Sequence, residues 1–219
     1  MNLARSLERR LERLIEGLAS KLFPGAVSAP ELAQRLLREA DLSIVEGTAG
    51  PVVPNVYGVR MNPDDLGQES APNELTSELA GLIDEHARQM GWRLEGAVYV
   101  EVVGDPSMPL GGMDIAANVV AGTLARWASL TERGSSIEHP VAPNRCLIGR
   151  DRGCDVRLTA DEVSRRHALI WREGPDVWVA DLRSSNGTAI NGVAVREPSL
   201  VQTGDAVVFG SVECTFRID

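Results

Sequence analysis

The stretch "SSNGTAINGVAV", Ser184 to Val195, holds two Asn-Gly pairs separated only by Thr188, Ala189 and Ile190. Asn-Gly is a strong hairpin signal because both residues tolerate positive φ, yet three residues make too short a strand for two tight hairpins in succession. Asn191-Gly192, flanked by "TAI" and "VAV", is the better type I′ hairpin. Asn186-Gly187 must then belong to a longer, shaped loop in which Gly187 supplies a position of positive φ. The same letters spell a glycosylation sequon, Asn186-Gly187-Thr188. Bland turns, a sugar-acceptor loop and the recognition loop of a binding site are all open at this point.

Outward from this stretch, short β-rich runs recur with turn signals between them: Leu124 to Leu130, Arg145 to Gly149, Asp155 to Leu158, His167 to Arg172, Val177 to Leu182, Thr188 to Val195, Ala206 to Phe209 and Val212 to Ile218. That spacing predicts an all-β sandwich over residues 122–219. The first half follows a helical period instead. Leucines 3, 7, 11, 14, 18 and 22 predict an amphipathic helix over residues 2–22, ended by Phe23-Pro24-Gly25. Ser28-Ala29-Pro30-Glu31 reads as a capping box opening a second helix through Leu32, Leu36, Leu37 and Ala40. Val52 to Met61 reads as a strand, Pro72 to Met90 as a third helix, and Gly96 to Val103 as a strand, with Met113 to Val120 a candidate closing strand. Residues 1–121 are therefore an α+β domain that passes almost directly into the sandwich.

Composition narrows the function classes. The net charge is −9, and eight of those nine charges fall in residues 1–121. An acidic chain without a basic stripe argues against binding the phosphate backbone of nucleic acid. Cys146, Cys154 and Cys214 are odd in number, lack a Cys-x-x-Cys spacing and sit largely among apolar neighbours, which fits a reduced, cytosolic setting. No stretch resembles a signal peptide or reaches the ~18 apolar residues of a membrane span. Without secretion the sequon has no enzyme to act on it. The 2–22 helix suits a core or dimer face; its leucine stripe could also lie on a membrane, although its mixed charges weaken attraction to anionic lipid.

Four polar clusters fall between the predicted strands: Gly149-Arg150, Ser164-Arg165-Arg166-His167, Ser184 to Thr188, and Asn191-Gly192. With Gly204-Asp205 they follow, in order and spacing, the pattern of the forkhead-associated (FHA) domain, and this half of the chain resembles that family from end to end. FHA domains read phosphothreonine peptides, so the resemblance implies a role for each matching position. Arg150 is implied to approach the phosphate or the peptide, Ser164 to donate its hydroxyl to a phosphate oxygen, and Arg165 to stand on the phosphate side. Ser185 is implied to line the phosphothreonine pocket and Asn186 to hold the peptide backbone. Gly149, His167, Gly187 and Thr188 are expected to support these residues structurally. Arg166 and Arg183 are surface charge or contact peptide residues beyond the phosphothreonine.

These residue types suit the ligand on physical grounds. A phosphothreonine brings a charge of about −1.5 to −2 and three acceptor oxygens, so its site needs donors. Charge-assisted hydrogen bonds contribute about 1.5 to 3 kcal/mol each, enough for two or three to separate a phosphorylated peptide from its unmodified form. A side-chain amide both donates and accepts, as pairing with an extended backbone requires. Ser164, His167 and Asp181 also invite a hydrolase triad, but the Gly-x-Ser-x-Gly context of a nucleophile elbow is missing. No catalytic residues, metal ligands or cofactor motif are expected.

The phrases "RLERLIEGLASKLFPGAVSAPELAQRLLREAD", "VPNVYGVRMNPDDL" and "GWRLEGAVYVEV" resemble the N-terminal domain of actinobacterial FhaA-like proteins, which carry a C-terminal FHA module. Those relatives usually separate the two domains by a long Gly/Pro/Tyr-rich linker that is missing here. The resemblance implies a signalling adaptor for phosphothreonine-bearing partners of Ser/Thr kinases, in cell-wall or division regulation. The alternative is an oligomerising or membrane-associated scaffold whose FHA fold binds unphosphorylated partners.

Overall fold

The structure, a computed structural model, describes residues 27–66 and 71–219. The predicted helix over residues 2–22 lies outside the described residues. Contacts divide the chain into two units, the first formed by residues up to 46, 52–87 and 94–122, the second by 47–51, 88–93 and 123–219.

In the first unit, helix α1 (Ala29–Leu42) begins where Ser28, in extended conformation, accepts the Glu31 N–H through its side chain at 3.3 Å. Only half of the expected capping box forms, because the Glu31 carboxylate turns away to Arg35 at 2.6 Å, one helical turn on. The apolar stripe Leu32, Leu36, Leu37 and Ala40 is buried as its spacing requires. Strand β3 (Val56–Met61) then leads through the single turn α2 (Pro63–Leu66) and the helix α3 (Asn73–Gln89) to β4 (Tyr99–Gly104). β3 and β4 pair in parallel, while β5 (Met113–Asn118) closes antiparallel on the other side of β3. Tyr57, Val59 and Met61 alternate inward and are fully buried, as are Leu32, Leu36, Leu75, Leu79 and Leu82 of the helices.

One predicted strand is divided. Residues 52–61 do not run as one strand: the short strands β1 (Val45–Gly47) and β2 (Gly50–Val52) form a separate two-stranded sheet, and the chain is irregular until Val56. Pro54 cannot donate to a ladder and lies within the irregular stretch, which accounts for the interruption here. The buried Asn55 uses the break, its amide donating to the carbonyls of Ala97 and Val120 and its oxygen accepting the Val120 N–H.

The second unit is a sandwich of two antiparallel-rich sheets. Its strands are β6 (Ala128–Glu132), β7 (Glu138–Val141), β8 (Arg145–Gly149), β9 (Val156–Arg157), β10 (Ala168–Glu173), β11 (Asp176–Asp181), β12 (Thr188–Ile190), β13 (Val193–Ala194), β14 (Ser199–Leu200), β15 (Ala206–Phe209) and β16 (Val212–Ile218). One sheet runs β14-β11-β10-β8-β9, the other β13-β12-β15-β16-β6-β7. Leu130, Ile148, Leu158, Ile170, Val179, Val207, Phe209 and Phe216 fill the space between them. The first strand starts at Ala128 rather than Leu124, and the edge strands β7 and β14 went unpredicted; Pro140 within β7 suits an edge, where a missing N–H is tolerated. The predicted run from Thr188 to Val195 folds back on itself at Asn191-Gly192, with Ile190 paired to Val193.

The outer face of the five-stranded sheet carries a second apolar cluster of Ala49, Leu147, Leu169 and Trp171, with Trp178 stacked on Trp171. Arg145 lies over the Trp171 ring and donates to the carbonyls of Ala49 and Gly91. Arg93 grips Asp155 through two hydrogen bonds of 2.7 and 2.9 Å. No helix among the described residues is long and apolar enough to cross a membrane.

Candidate functional site

Two loops meet at one end of the sandwich: residues 158–167, entering β10, and residues 182–187, between β11 and β12. Gly149, the last residue of β8, lets the first loop come close. A Cβ there would collide with the Arg165 carbonyl, and with the collision absent the Arg150 N–H donates to Ser164 O at 3.0 Å and the Asp151 N–H to Arg165 O at 3.1 Å. Arg150 leaves the strand at this point, its Nε donating to Val163 O at 3.2 Å and its Nη1 standing 3.4 Å from the Asp161 carboxylate.

His167 anchors both loops from beneath. It is fully buried, its Nδ1 accepts the Ser164 N–H at 3.0 Å, and its Nε2 lies 3.1 Å from Gly187 O. A ring nitrogen that accepts a backbone proton must itself be unprotonated, so Nε2 carries the proton and donates it to Gly187. Burial pushes the imidazole below its ordinary pKa, against smaller opposing effects of the Gly187 carbonyl and Asp181. A hydrolase triad is not assembled from Ser164, His167 and Asp181: Nδ1 is taken by the Ser164 backbone, and the Ser164 hydroxyl accepts from the Ser185 N–H at 3.0 Å instead of addressing the imidazole.

Asp181 organises the second loop. Its oxygens accept the Ser184 N–H at 2.8 Å, the Ser184 hydroxyl at 2.6 Å and the Thr188 hydroxyl at 2.7 Å. Burial alone would raise the Asp181 pKa, but the hydrogen bonds from Ser184 and Thr188 outweigh it and hold the carboxyl below its ordinary value. Ser184 Oγ in turn accepts the Gly187 N–H at 2.9 Å, which closes the loop and sets Gly187 at φ 76°. Asn186 remains at the rim with its amide donating to Glu162 O at 2.8 Å.

A surface cavity of about 460 Å³ opens between the loops, lined by Arg150, Ser164, Arg165, Ser185 and Asn186 together with Arg166, Val163 and two carboxylates, Asp161 and Glu162. All five candidate ligand-binding residues thus face one space, which offers guanidinium, hydroxyl and amide donors to an anion. Three features escaped the sequence reading. Ser184 braces the loop, and Asp161 and Glu162 share the cavity with the arginines. Gly210, between β15 and β16, sits so close to Glu162 O that a Cβ would collide with it. The positive φ of Gly210, 62°, marks a tight turn after "VVF", but its partner lies too far along the chain for sequence to show. No group of three or more potential metal ligands occurs among the described residues.

The model of the FhaA N-terminal domain family matches residues 4–116, and that of the FHA domain matches residues 146–210. The chain belongs to the FhaA family. It is an FhaA-like FHA-domain protein, and the FHA domain is a phosphothreonine-peptide-binding module, not an enzyme. FhaA of Mycobacterium tuberculosis is 35% identical over 85 residues, 39% of this chain and 16% of that protein. The transcriptional regulatory protein EmbR of M. tuberculosis is 33% identical over 91 residues, 42% of this chain and 24% of that one. Mouse proliferation marker protein Ki-67 is 31% identical over 96 residues, 43% of this chain and only 3% of its own length. The chain therefore spans less than a quarter of each of these relatives. Among solved structures, M. tuberculosis EmbR in complex with a low-affinity phosphopeptide aligns with a TM-score of 0.41 at 32% identity, over 43% of this chain and 25% of that chain. The FhaA FHA domain complexed with the intracellular domain of Rv3910 aligns with a TM-score of 0.38 at 32% identity, over 41% and 99%.

Proposed function

We propose that this FhaA-like protein is a non-enzymatic adaptor that docks phosphothreonine-bearing proteins on its FHA domain. On this reading its domains are residues 1–121 and 122–219, and it acts in the cytosol downstream of Ser/Thr kinases in cell-wall or division regulation. The observation that carries the reading is the convergence of Arg150, Ser164, Arg165, Ser185 and Asn186 on one cavity. In the proposed complex Arg150 and Arg165 supply positive charge, the hydroxyls of Ser164 and Ser185 donate to phosphate oxygens, and the Asn186 amide holds the peptide backbone. Buried supports fix the donors before the ligand arrives, which spares affinity the cost of ordering them. Binding weakens below about pH 6, where the phosphate takes up its second proton.

Titration of the full chain with matched phosphothreonine, phosphoserine and unmodified peptides tests the proposal. The phosphothreonine peptide is expected to bind tightest, phosphoserine about fivefold more weakly for want of one methyl contact, and the unmodified peptide not measurably. Equal binding of all three would sink it.

A further inference from the structure

The two carboxylates in the cavity are at odds with a phosphate site, because each repels a dianion. Glu162 is also held where it is. Its backbone oxygen accepts from the Asn186 amide at 2.8 Å, its Oε2 accepts from the Ser211 hydroxyl at 3.0 Å, and Gly210 leaves room for its backbone. Among the described residues no cation pairs with its carboxylate. Asp161 is 94% exposed and, among the described residues, touches one cation, Arg150, at a slack 3.4 Å. A phosphate that engages Arg150 therefore draws away the positive partner that Asp161 has among the described residues, the Arg150 guanidinium. The occupied site would leave two carboxylates lining the same cavity as the Asn186 amide that would hold the peptide backbone.

We infer that the site selects phosphothreonine peptides carrying a lysine or arginine at the flanking position that passes Asp161 and Glu162, an inference that rests on the binding reading above. The peptide's cation replaces Arg150 as partner of Asp161 and meets the carboxylate that Ser211 holds in place, while an acidic residue at the same position is repelled by both. The phosphate specifies that a site is modified, and the carboxylate pair specifies which modified sites are accepted. Because the carboxylates are solvent-facing, the discrimination is moderate, about fivefold between lysine and glutamate, and is screened by salt.

The test is a calorimetric scan of the full chain against phosphothreonine peptides in which lysine or glutamate is placed in turn at each flanking position, each with its unphosphorylated counterpart. One position is expected to favour lysine about fivefold at low salt. That preference should fall towards unity in a D161N/E162Q double variant and invert in E162K, with circular dichroism checking that each variant folds. Phosphorylation-dependent binding that is blind to charge at every position, or a lysine preference that survives the double variant, overturns the inference while leaving the binding reading intact. Binding that ignores phosphorylation overturns both.

Discussion

The two Asn-Gly pairs of the second unit invite comparison, since the same dipeptide sits five residues apart in two different conformations. At Asn191-Gly192 both residues have positive φ, 51° and 82°, and the side chain is spent on the fold: Nδ2 donates to Asp205 at 2.7 Å and Oδ1 accepts the Ala206 N–H at 2.9 Å. At Asn186-Gly187 only the glycine has positive φ, and the asparagine reaches across to the opposite loop. The difference comes from the flanks. Val193 pairs with Ile190, so the turn between them must reverse the chain in two residues. Ahead of Asn186, Asp181 and Ser184 build a wider loop from side-chain hydrogen bonds, which leaves Asn186 on the cavity wall. A turn imposed by strand pairing serves stability; a turn imposed by a polar network can serve recognition.

Breaking the network should have the largest effect. Asp181→Ala leaves the Ser184 and Thr188 hydroxyls without their half-buried acceptor, and urea denaturation is expected to show a loss of about 3 kcal/mol together with loss of peptide binding. Arg150→Ala should cost about 2 kcal/mol of phosphopeptide affinity with stability nearly unchanged, as read by titration and by melting temperature. An Arg150→Ala protein that discriminates the phosphorylated peptide as well as the unsubstituted protein does contradicts its placement at the phosphate.

The asparagines themselves should separate. Asn186→Ala is expected to lower phosphopeptide affinity about tenfold, whereas Asn191→Ala lowers stability by about 1 kcal/mol and leaves affinity alone. Equal effects of both substitutions on binding would erase the distinction.

The smallest effect is a pH dependence. His167 has a folded pKa below its ordinary 6.5, so the unfolded chain takes up its proton first as pH falls. Its contribution to stability is complete above pH 6.5 and is lost progressively as the pH drops from there to the folded pKa. Asp181 is depressed below 3.8, and its contribution is lost only at lower pH still. Denaturation curves at successive pH values should show the histidine phase vanish in His167→Gln.

How much of this was legible in the sequence follows from how local each cause is. Ser28 capping, the Leu32–Ala40 stripe and the Asn191-Gly192 hairpin are set by residues within a turn of one another, and sequence shows them directly. The role of His167 between loops was readable from its place in the motif. Edge strands β7 and β14 are defined by the partner they lie against more than by their own few residues, so no pattern announces them. The contacts of Glu162 with Asn186 and Gly210 span 24 and 48 residues and follow from the way two sheets stack.

Gly187 O accepts from His167 Nε2 and from the Gly210 N–H at 3.0 Å. His167 opens the five-stranded sheet, and Gly210 turns a corner of the six-stranded one. One carbonyl oxygen thus clasps the two halves of the sandwich at this end, beside the Ser211–Glu162 bond, and both of its lone pairs are occupied. Prying the sheets apart here and dismantling the loop of residues 182–187 are one event, so a peptide bound as proposed would, by stiffening the loop, also lock the sandwich shut.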